Sequence, residues 1–573
     1  MQMTGAEIVW EMLRREGIDV VFGIPGGGIM HTYHPRKEYG IHHVLVRHEQ
    51  SAAHAADGYA RASGKVGVAI ATSGPGATNL VTGIATAMMD SSPIVCITGQ
   101  VSTSVLGTDA FQEADITGIT LPITKHNYLV TDVNELATTL RDAFQIARSG
   151  RPGPVLVDLP SDVQKAKTDF LPPEATSIIT SRTLPMPEPE SLKRALELID
   201  RAHRPVILAG QGVLLSGAAE ALAAYVEKTQ TPVAVTLLGK GSFPPSHPLY
   251  LGMMGMHGHA AANHAIQDAD LLIALGMRFD DRVTGNPCLY AVQARKIHID
   301  IDATELGKVI ETDVGILSDL RPALLAITEA AAVREHESWV GQIEGWRAGS
   351  REIEALNCRP EGTLPAPHIV NEIFEATDGK AVIVTDVGQN QMWAAQYYAT
   401  DCDRSFLSSG GLGTMGFGLP AAIGAQFARP DAEVWVIAGD GGFQMSMHEL
   451  ATLVQEGLPI RIALINNSCL GMVRQWQTMF YDSNYEATDL LNPDFVKLSE
   501  AYGIPALRAT TLDSAHDAIA EAHRQSGPML VEFEVARDGE LSHVYPMVPT
   551  GAALDAMIHR SPVPVSSAIG GTP

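Results

Sequence analysis

Cysteine is scarce in this chain, with five residues in 573: Cys96, Cys288, Cys358, Cys402 and Cys469. They are scattered, and no two of them form a CxxC pair. The sequence therefore predicts neither a disulfide framework nor a zinc site, and the usage fits a reducing cytoplasm.

Positive charge is also scarce. The chain has 40 Lys and Arg but 65 Asp and Glu, which gives a formal net charge of −25. Nucleic acids and anionic membranes bind basic surfaces, so neither is predicted as a partner. The most apolar stretch, 66–89, is interrupted by Ser73-Gly74-Pro75-Gly76 and does not predict a membrane span. Thr4 and Glu7 have capping-box spacing at the start of an amphipathic helix, unlike a signal peptide. We expect a cytoplasmic protein.

Short apolar runs alternate with helical patterns along nearly the whole chain, which is typical of α/β domains with doubly wound parallel sheets. A chain of this length predicts about three such domains. Proline-rich and polar stretches set the expected boundaries: domains at 1–170, 191–340 and 367–540, linkers at 171–190 and 341–366, and a tail at 541–573. The first and third domains could share a fold without detectable sequence similarity.

Two polar clusters follow neighbouring predicted strands in the third domain. Gly439-Asp440-Gly441-Gly442 ends the strand Val434–Ala438, and Asn466-Asn467 ends the strand Arg461–Ile465. Twenty-four residues separate Gly441 from Asn466, and the pattern predicts a helix over Met445–Glu456 that stops at Gly457. Both clusters are therefore expected at the carboxyl edge of one parallel sheet, where ligands bind.

The residue types in these clusters suit a metal-bridged diphosphate. Gly441 and Gly442 let the backbone approach a phosphate. Mg²⁺ prefers carboxylate and amide oxygens, so we predict Asp440, Asn467 and the carbonyl of Cys469 as its ligands. An isolated Asp-Gly or Asn-Asn is usually a turn, but two clusters at this spacing favour a site.

This spacing resembles the fingerprint of thiamine-diphosphate enzymes, and residues 5–558 resemble the catalytic subunit of the acetohydroxyacid synthase (acetolactate synthase) family. The resemblance implies a pyrimidine-binding, a flavin-binding and a diphosphate-binding domain. It also implies active sites between subunits of a homodimer or tetramer, and a small regulatory subunit. The implied reaction decarboxylates pyruvate and transfers the hydroxyethyl enamine to pyruvate or 2-oxobutanoate, the first common step of branched-chain amino-acid biosynthesis.

Glu49 begins an alanine-rich predicted helix, where a glutamate alone is more often a cap or a surface charge. Its surroundings resemble those of the family's carboxylate that faces the pyrimidine ring and promotes loss of the cofactor's C2 proton. The resemblance implies further contacts to thiamine diphosphate from Pro75, Asn79, Val387, Gly388, Gln389, Asn390, Gly413, Met415, Gly439, Asp440, Gly441, Gly442, Asn467, Gly471 and Met472.

Candidate substrate residues also rest on the resemblance. Arg282 is similar to the family's carboxylate-binding arginine, and Met472 and Trp476 resemble its acceptor pocket. Phe111 and Gln112 resemble a substrate-side pair, with Gln112 donating to the developing alkoxide. An apolar pocket distinguishes one methylene by only ~1–3 kcal/mol, so both acceptors are expected to react.

The middle domain resembles the family's site for flavin-adenine dinucleotide (FAD), which there takes no part in net redox chemistry and is structural. The implied contacts are Arg151, Gly210, Gly212, Thr236, Leu237, Met254, Met256, His257, Gly276, Arg278, Asp300, Ile301 and Asp319. Glycines after strands are common in α/β domains, so the residues alone do not establish a flavin site.

Three residues depart from the family pattern: Asn390 replaces a usual His, Ser161 a usual Lys and Ser102 a usual Pro. Asn390 keeps a hydrogen bond but loses a titratable group, and Ser161 puts a substrate-side positive charge in doubt. Ser102 predicts weaker binding of sulfonylurea-type channel inhibitors. The alternatives that stay open are a pyruvate oxidase-like flavin oxidoreductase, a catabolic acetolactate synthase without flavin, and a non-catalytic protein that kept the fold.

Overall fold

The computed structural model describes residues 1–173, 184–348, 355–356, 363–539 and 541–559. The described residues contain three six-stranded sheets in which every strand pairing is parallel, covered by helices. The predicted α/β class is confirmed. Parts of both predicted linkers, 174–183 and most of 349–362, and the end of the predicted tail, 560–573, lie outside the described residues.

The first sheet has the order β3-β2-β4-β5-β7-β6, and a small antiparallel pair joins β1 to β8. The strands are β1 Gln2–Thr4, β2 Val20–Gly23, β3 His42–Leu45, β4 Gly67–Ala71, β5 Ile94–Gln100, β6 His126–Leu129, β7 Val155–Pro160 and β8 Lys167–Asp169. The helices are α1 Gly5–Arg15, α2 Met30–Tyr33, α3 Glu49–Ser63, α4 Pro75–Asn79, α5 Val81–Met89, α6 Ile116–Thr120, α7 Val133–Arg148 and α8 Ser161–Lys165.

The central sheet has the order β11-β10-β9-β12-β13-β14, which is the order of dinucleotide-binding sheets. The strands are β9 Pro205–Ala209, β10 Val233–Val235, β11 Tyr250–Met253, β12 Leu271–Leu275, β13 Arg295–Asp300 and β14 Val314–Leu317. The helices are α9 Pro189–Arg201, α10 Gln211–Leu215, α11 Ala219–Thr229, α12 Ala260–Asp268, α13 Asp281–Thr284, α14 Leu320–Ala330 and α15 Glu337–Ala348. The direction of winding reverses between β9 and β12, which is where such sheets bind ligands.

The third sheet has the order β16-β15-β17-β18-β20-β19. The strands are β15 Val382–Thr385, β16 Phe406–Leu407, β17 Val434–Gly439, β18 Ile460–Asn466, β19 Ala506–Ala509 and β20 Met529–Glu534. The helices are α16 Ala366–Thr377, α17 Gln389–Tyr397, α18 Gly418–Ala428, α19 Asp440–Gln444, α20 Leu450–Glu456, α21 Gly471–Phe480, α22 Phe495–Ala501 and α23 Leu512–Arg524. Counted from β2 and from β15, the first and third sheets have the same strand order, so the two domains do share a topology.

Short 3-10 helices connect several of these elements. They span Gly27–Ile29, Arg36–Glu38, Thr103–Val105, Leu121–Ile123, Leu237–Gly239, Pro287–Leu289 and Met447–Glu449.

The ends of the central domain differ from the predicted boundaries. Helix α9 begins at Pro189, inside the predicted linker 171–190, because proline suits the first turn of a helix. Helix α15 extends to Ala348, inside the predicted linker 341–366. Its Trp339 and Ile343 are buried, so the helix packs on the central domain. The polar composition of the stretch led to the prediction of a linker instead.

The first and third domains of the chain pack together through α3 and α18, whose crossing is lined by small residues. A Cβ added to Gly58 would lie 2.0 Å from the carbonyl oxygen of Ala421, and one added to Gly424 would lie 1.8 Å from that of Ala55. The helices therefore touch backbone to backbone. This crossing fixes the first domain against the third.

The segment 541–559 lies across the second and third domains. The N–H of Val548 donates to the carbonyl of Met256 at 2.8 Å, and Gln475 Nε2 donates to the carbonyl of Val544 at 2.9 Å. Val544 and Val548 are buried. Among the described residues, no helix is both long enough and apolar enough to cross a bilayer.

Candidate active site

Asp440 lies at the junction of β17 and α19 and is 2% exposed. Its Oδ2 accepts a hydrogen bond from Asn492 Nδ2 at 2.7 Å. Burial raises the pKa of Asp440 to about 6, and the hydrogen bond from Asn492 opposes that rise. A buried carboxylate whose charged form is disfavoured by burial is suited to a cation.

The helix predicted over Met445–Glu456 is wrong at its start. Helix α19 begins directly at Asp440, since an acidic residue favours the first turn, and the chain then passes through a 3-10 turn before α20. The predicted stop at Gly457 is confirmed, because that glycine ends α20 with a φ of 64°.

Asn467 follows β18, the strand adjacent to β17. Its Nδ2 donates to Gln389 Oε1 at 3.2 Å, and its Oδ1 accepts the N–H of Cys469 at 3.3 Å. A Cβ on Gly471 would lie 2.1 Å from Gln389 Oε1, so a larger residue would displace the Gln389 side chain. The structure thus brings Asn467, Gln389 and Gly471 together at the same sheet edge as Asp440.

The donors at this edge fit Mg²⁺ and not zinc. The described residues hold no group of three or more His, Cys, Asp or Glu side chains that could bind a metal ion. One carboxylate, one amide oxygen and a carbonyl are a hard, oxygen-only set that leaves room for phosphate oxygens. Mg²⁺ takes oxygen ligands, so the carbonyl of Cys469 and not its sulfur is the suitable ligand.

The glycine loop 409–416 reaches the same edge. Met415 is close to Gly441, because a Cβ on Gly441 would lie 3.5 Å from Met415 Cε. Gly413 has a φ of 69°, a left-handed conformation that favours glycine. Asp386 fixes the end of the loop: its carboxylate accepts the N–H groups of Gly416 at 3.1 Å and of Gly418 at 3.0 Å.

The segment Val387–Asn390 lies against the strand that leads to Asp440. Asn390 Nδ2 donates to the carbonyl of Ile437 at 3.0 Å, and a Cβ on Gly439 would lie 3.3 Å from Asn390 Oδ1. The third-domain candidates therefore converge on one region, as the motif spacing predicts.

Glu49 begins α3, which His48 caps, and is 8% exposed. Its Oε2 accepts a hydrogen bond from Asn79 Nδ2 at 2.9 Å, and Pro75 starts the short helix that carries Asn79. These first-domain candidates form a group of their own. Among the hydrogen bonds of the described residues, none joins Glu49 to the candidates of the third domain.

A cavity of about 1050 Å³ lies at the carboxyl edge of the central sheet. Every predicted flavin contact lines it except Gly210. Gly210 does not line the cavity but lies next to it, and its N–H donates to the carbonyl of Leu275 at 2.9 Å. Gly212 and Gly276 touch at the switch point, where a Cβ on Gly212 would lie 2.6 Å from Gly276 Cα.

The same cavity extends into the third domain. Its lining includes Arg282, Met472 and Trp476 from the predicted acceptor site and Val387, Gly388 and Gly413 from the predicted cofactor site. Sites predicted from separate motifs thus line one cavity.

Three family profiles match the chain. They are "Thiamine pyrophosphate enzyme, N-terminal TPP binding domain" at residues 3–119, "Thiamine pyrophosphate enzyme, central domain" at 192–327 and "Thiamine pyrophosphate enzyme, C-terminal TPP binding domain" at 386–533. The chain is 48% identical over 565 residues to the acetolactate synthase large subunit of Corynebacterium glutamicum, covering 96% of this chain and 89% of that protein.

It is 48% identical over 568 residues to the acetolactate synthase of Mycobacterium bovis, covering 97% of this chain and 91% of that protein. It is 45% identical over 569 residues to the probable acetolactate synthase large subunit of Methanocaldococcus jannaschii, covering 97% and 95%. The chain belongs to the acetolactate synthase family. The predicted family, enzyme class and thiamine cofactor are confirmed.

In this acetolactate synthase family member, the predicted substrate-side pair is not brought to the cavity. Phe111 is 88% exposed, and Gln112 has a φ of 61° in a loop whose backbone passes next to Gly74. Their substrate role stays a prediction.

Two of the departures from the family pattern lie on neighbouring segments. Ser102 precedes Thr103, whose N–H donates to Asp162 Oδ1 at 3.0 Å, and Ser161 begins α8 next to Asp162. Ser102 has a φ of −59°, which proline also adopts.

Sequence reasoning missed Asn492 and Asp386. Asn492 lies in an irregular segment before α22, where no periodic pattern marks it. Asp386 follows the strand β15, and the strand-end rule that selected Asp440 could have selected it too.

Proposed function

We propose that this chain is the catalytic subunit of a biosynthetic acetolactate synthase. It decarboxylates pyruvate and joins the remaining two-carbon unit to a second 2-oxo acid. Pyruvate as acceptor gives 2-acetolactate, and 2-oxobutanoate gives 2-aceto-2-hydroxybutanoate. The observation that carries the proposal is the single cavity that connects the glycine loop at Gly413 with Arg282 and Trp476, in a chain so similar to acetolactate synthases.

Mg²⁺ and the diphosphate of the cofactor are assigned to the edge of the third sheet. Asp440, Asn467 and the carbonyl of Cys469 supply oxygen ligands, and Gly441 and Gly442 leave the backbone accessible to phosphate. Thiamine diphosphate would supply a nucleophilic carbon for the keto group and, in its thiazolium ring, a sink for the electron pair left when CO₂ departs. Met415, beside Gly441, holds the cofactor's rings in place.

Glu49 exchanges a proton with the pyrimidine ring. We assign this role across the subunit interface of a homodimer, so that Glu49 of one protomer completes the site of its partner. One observation supports this arrangement: Glu49 bonds to Asn79 within the first domain, and no hydrogen bond of the described residues joins it to the third-domain candidates. Higher assembly to a tetramer and a small regulatory subunit remain predictions.

The acceptor acid is bound at the third-domain end of the cavity. Arg282 provides the cation for its carboxylate, and Trp476 and Met472 provide the wall for its side chain. Because an apolar wall distinguishes one methylene by only ~1–3 kcal/mol, both acceptors react.

FAD is assigned to the rest of the cavity as a structural cofactor. Two observations support this assignment. The central sheet has the strand order of dinucleotide-binding sheets, and Gly212 and Gly276 touch without intervening side chains. We expect the flavin to stay oxidised during turnover.

Product analysis tests the proposed function. The purified enzyme is incubated with pyruvate alone and with pyruvate plus 2-oxobutanoate, and the products are separated and identified. We expect 2-acetolactate in the first case and both acetohydroxy acids in the second. Acetate with bleaching of the flavin would instead identify an oxidase, and acetolactate formation by a protein that retains no flavin would identify the catabolic enzyme.

A further inference from the structure

A buried group of three charges lies where the first domain meets the third. Arg61 Nε is 2.6 Å from Asp57 Oδ1, and Arg61 Nη2 is 2.8 Å from Asp90 Oδ2. Asp57 and Asp90 are almost completely buried, and Arg61 is 9% exposed. Burying three charges is costly even when they pair, so such a group is expected to have a use beyond stability.

Asp90 faces the glycine loop of the third domain. Its Oδ1 accepts the N–H of Gly411 at 2.6 Å, and its Oδ2 accepts the N–H of Gly410 at 3.2 Å. The contact is so close that a Cβ on Gly411 would lie 2.7 Å from Asp90 Oδ1. A carboxylate bound to two successive amides fixes both the height and the orientation of a loop.

Arg61 holds the strand side of the same loop. Its Nη1 donates to the carbonyl of Ser408 at 2.7 Å, and its guanidinium carbon lies 5.2 Å from the centre of the Phe417 ring. A third link joins Thr86 Oγ1 to Thr414 Oγ1 at 2.7 Å. The first domain therefore contacts the loop on both sides of Gly413 in the sequence.

We propose that Asp90 and Arg61 are positioning residues that hold the loop 408–416 at the height at which Gly413 and Met415 bind the thiamine cofactor. This inference rests on the proposed function of that loop. Asp57 differs from Asp90 in one respect: it bonds to Arg61 in the same buried group but accepts no loop N–H among the described residues. Asp57 orients Arg61, and Asp90 orients the loop.

The test compares Asp90→Asn with the matched control Asp57→Asn in the full-length enzyme. Thiamine diphosphate binding is titrated by intrinsic fluorescence at saturating Mg²⁺, and kcat, the KM for pyruvate and the thermal midpoint are measured alongside. We expect Asp90→Asn to raise the cofactor Kd at least tenfold. Asp57→Asn should raise it less than threefold, because Arg61 then keeps Asp90 and the Ser408 carbonyl as partners. At saturating cofactor, kcat of Asp90→Asn should return to within threefold of the wild-type value, because Asp90 does not touch reacting atoms.

Equal cofactor Kd values for the two variants would overturn the inference, whatever their thermal midpoints. A second pair covers the case in which Asp90→Asn does not fold. Gly411→Ala meets the Asp90 carboxylate and the neighbouring Met89, whereas Gly410→Ala meets only the Leu238 side chain. We expect a raised cofactor Kd for the first and a smaller change for the second, and equal values would again contradict the positioning role. Failure of the wild-type enzyme to bind thiamine diphosphate would instead reject the proposed function.

Discussion

The guanidinium carbon of Arg282 lies 5.4 Å from the centre of the Trp476 ring. Arg282 belongs to α13 of the central domain and Trp476 to α21 of the third, so this cation–π contact joins the two domains. An Nη1 of Arg282 also lies 3.3 Å from the sulfur of Met256 in the cavity lining. The candidate acceptor site is therefore built at the boundary between the predicted flavin and thiamine sites.

Replacing Arg282 by glutamine tests its role as the carboxylate anchor. A hydrogen bond to a charged group contributes ~1.5–3 kcal/mol, so Arg282→Gln should raise the KM for pyruvate about 10- to 100-fold. Steady-state kinetics measure this. Arg278→Gln is the control, because Arg278 lines the same cavity but is assigned to the flavin. It should weaken flavin retention with little change in KM, and an unchanged KM in Arg282→Gln would reject the anchor.

A methyl group at Gly212 should expel the flavin. The Cβ of Gly212→Ala would lie 2.6 Å from Gly276 Cα, and backbone at that distance cannot yield without moving the switch point between β9 and β12. We expect the purified variant to lose most of its absorbance at 450 nm. Gly315→Ala in the same sheet meets only ordinary contacts at 3.6 Å and beyond, and should keep the flavin. Full flavin retention by Gly212→Ala would contradict the assigned site.

Mixed dimers test whether Glu49 acts across the subunit interface. Glu49→Gln and Asp440→Asn should each abolish activity as homodimers. The two variant chains are co-expressed with different affinity tags, and the mixed dimer is purified. If each site takes Glu49 from one protomer and Asp440 from the other, one of the two sites contains both native residues. We expect about half of the wild-type activity per dimer. An inactive mixed dimer would place both residues in one chain's site.

Asp158 should make the stability of the protein depend on pH. It is buried between Thr98 and Gln100, and burial raises its pKa from 3.8 to about 7. The folded protein therefore keeps a proton that the unfolded chain loses near pH 4, so the free energy of unfolding falls as pH rises from about 4 to 7. Asp158→Asn should remove this part of the pH dependence.

Thermal midpoints between pH 5 and 8 measure the effect. Asp162→Asn is the control: hydrogen bonds from Thr103 outweigh burial and lower the pKa of Asp162, so its contribution is lost only at more acidic pH. Its slope should match that of the wild type. Parallel curves for the wild type and Asp158→Asn would contradict the prediction.

The sequence predicted the adjacent strands β17 and β18 because they are continuous apolar runs. It missed β3 and β6, edge strands whose residues include exposed His42, His126 and Leu129 and which therefore lack that pattern. Helix α15 was hidden for a similar reason, since only Trp339 and Ile343 of its residues are buried. The hydrophobic pattern of a segment reflects which of its residues are buried. Elements at the surface bury few residues, so their pattern is weak.

The candidate site likewise contains residues that the sequence could predict and residues that it could not. Asp440 and Asn467 could be found because parallel strands bring their ends together, a property of topology alone. Asn492 could not, because it reaches Asp440 from an irregular segment whose path no sequence rule gives. The contact of Asp90 with Gly411 joins two domains, and only their packing through α3 and α18 establishes it.

The most direct measurement is pyruvate turnover after removal of the cofactors. The enzyme is dialysed against a chelator until thiamine diphosphate and divalent ions are undetectable, and acetolactate formation is followed before and after each is restored. We predict no product from the stripped enzyme or with either component alone, and recovered activity with both. Undiminished acetolactate formation by the fully stripped enzyme would contradict the account.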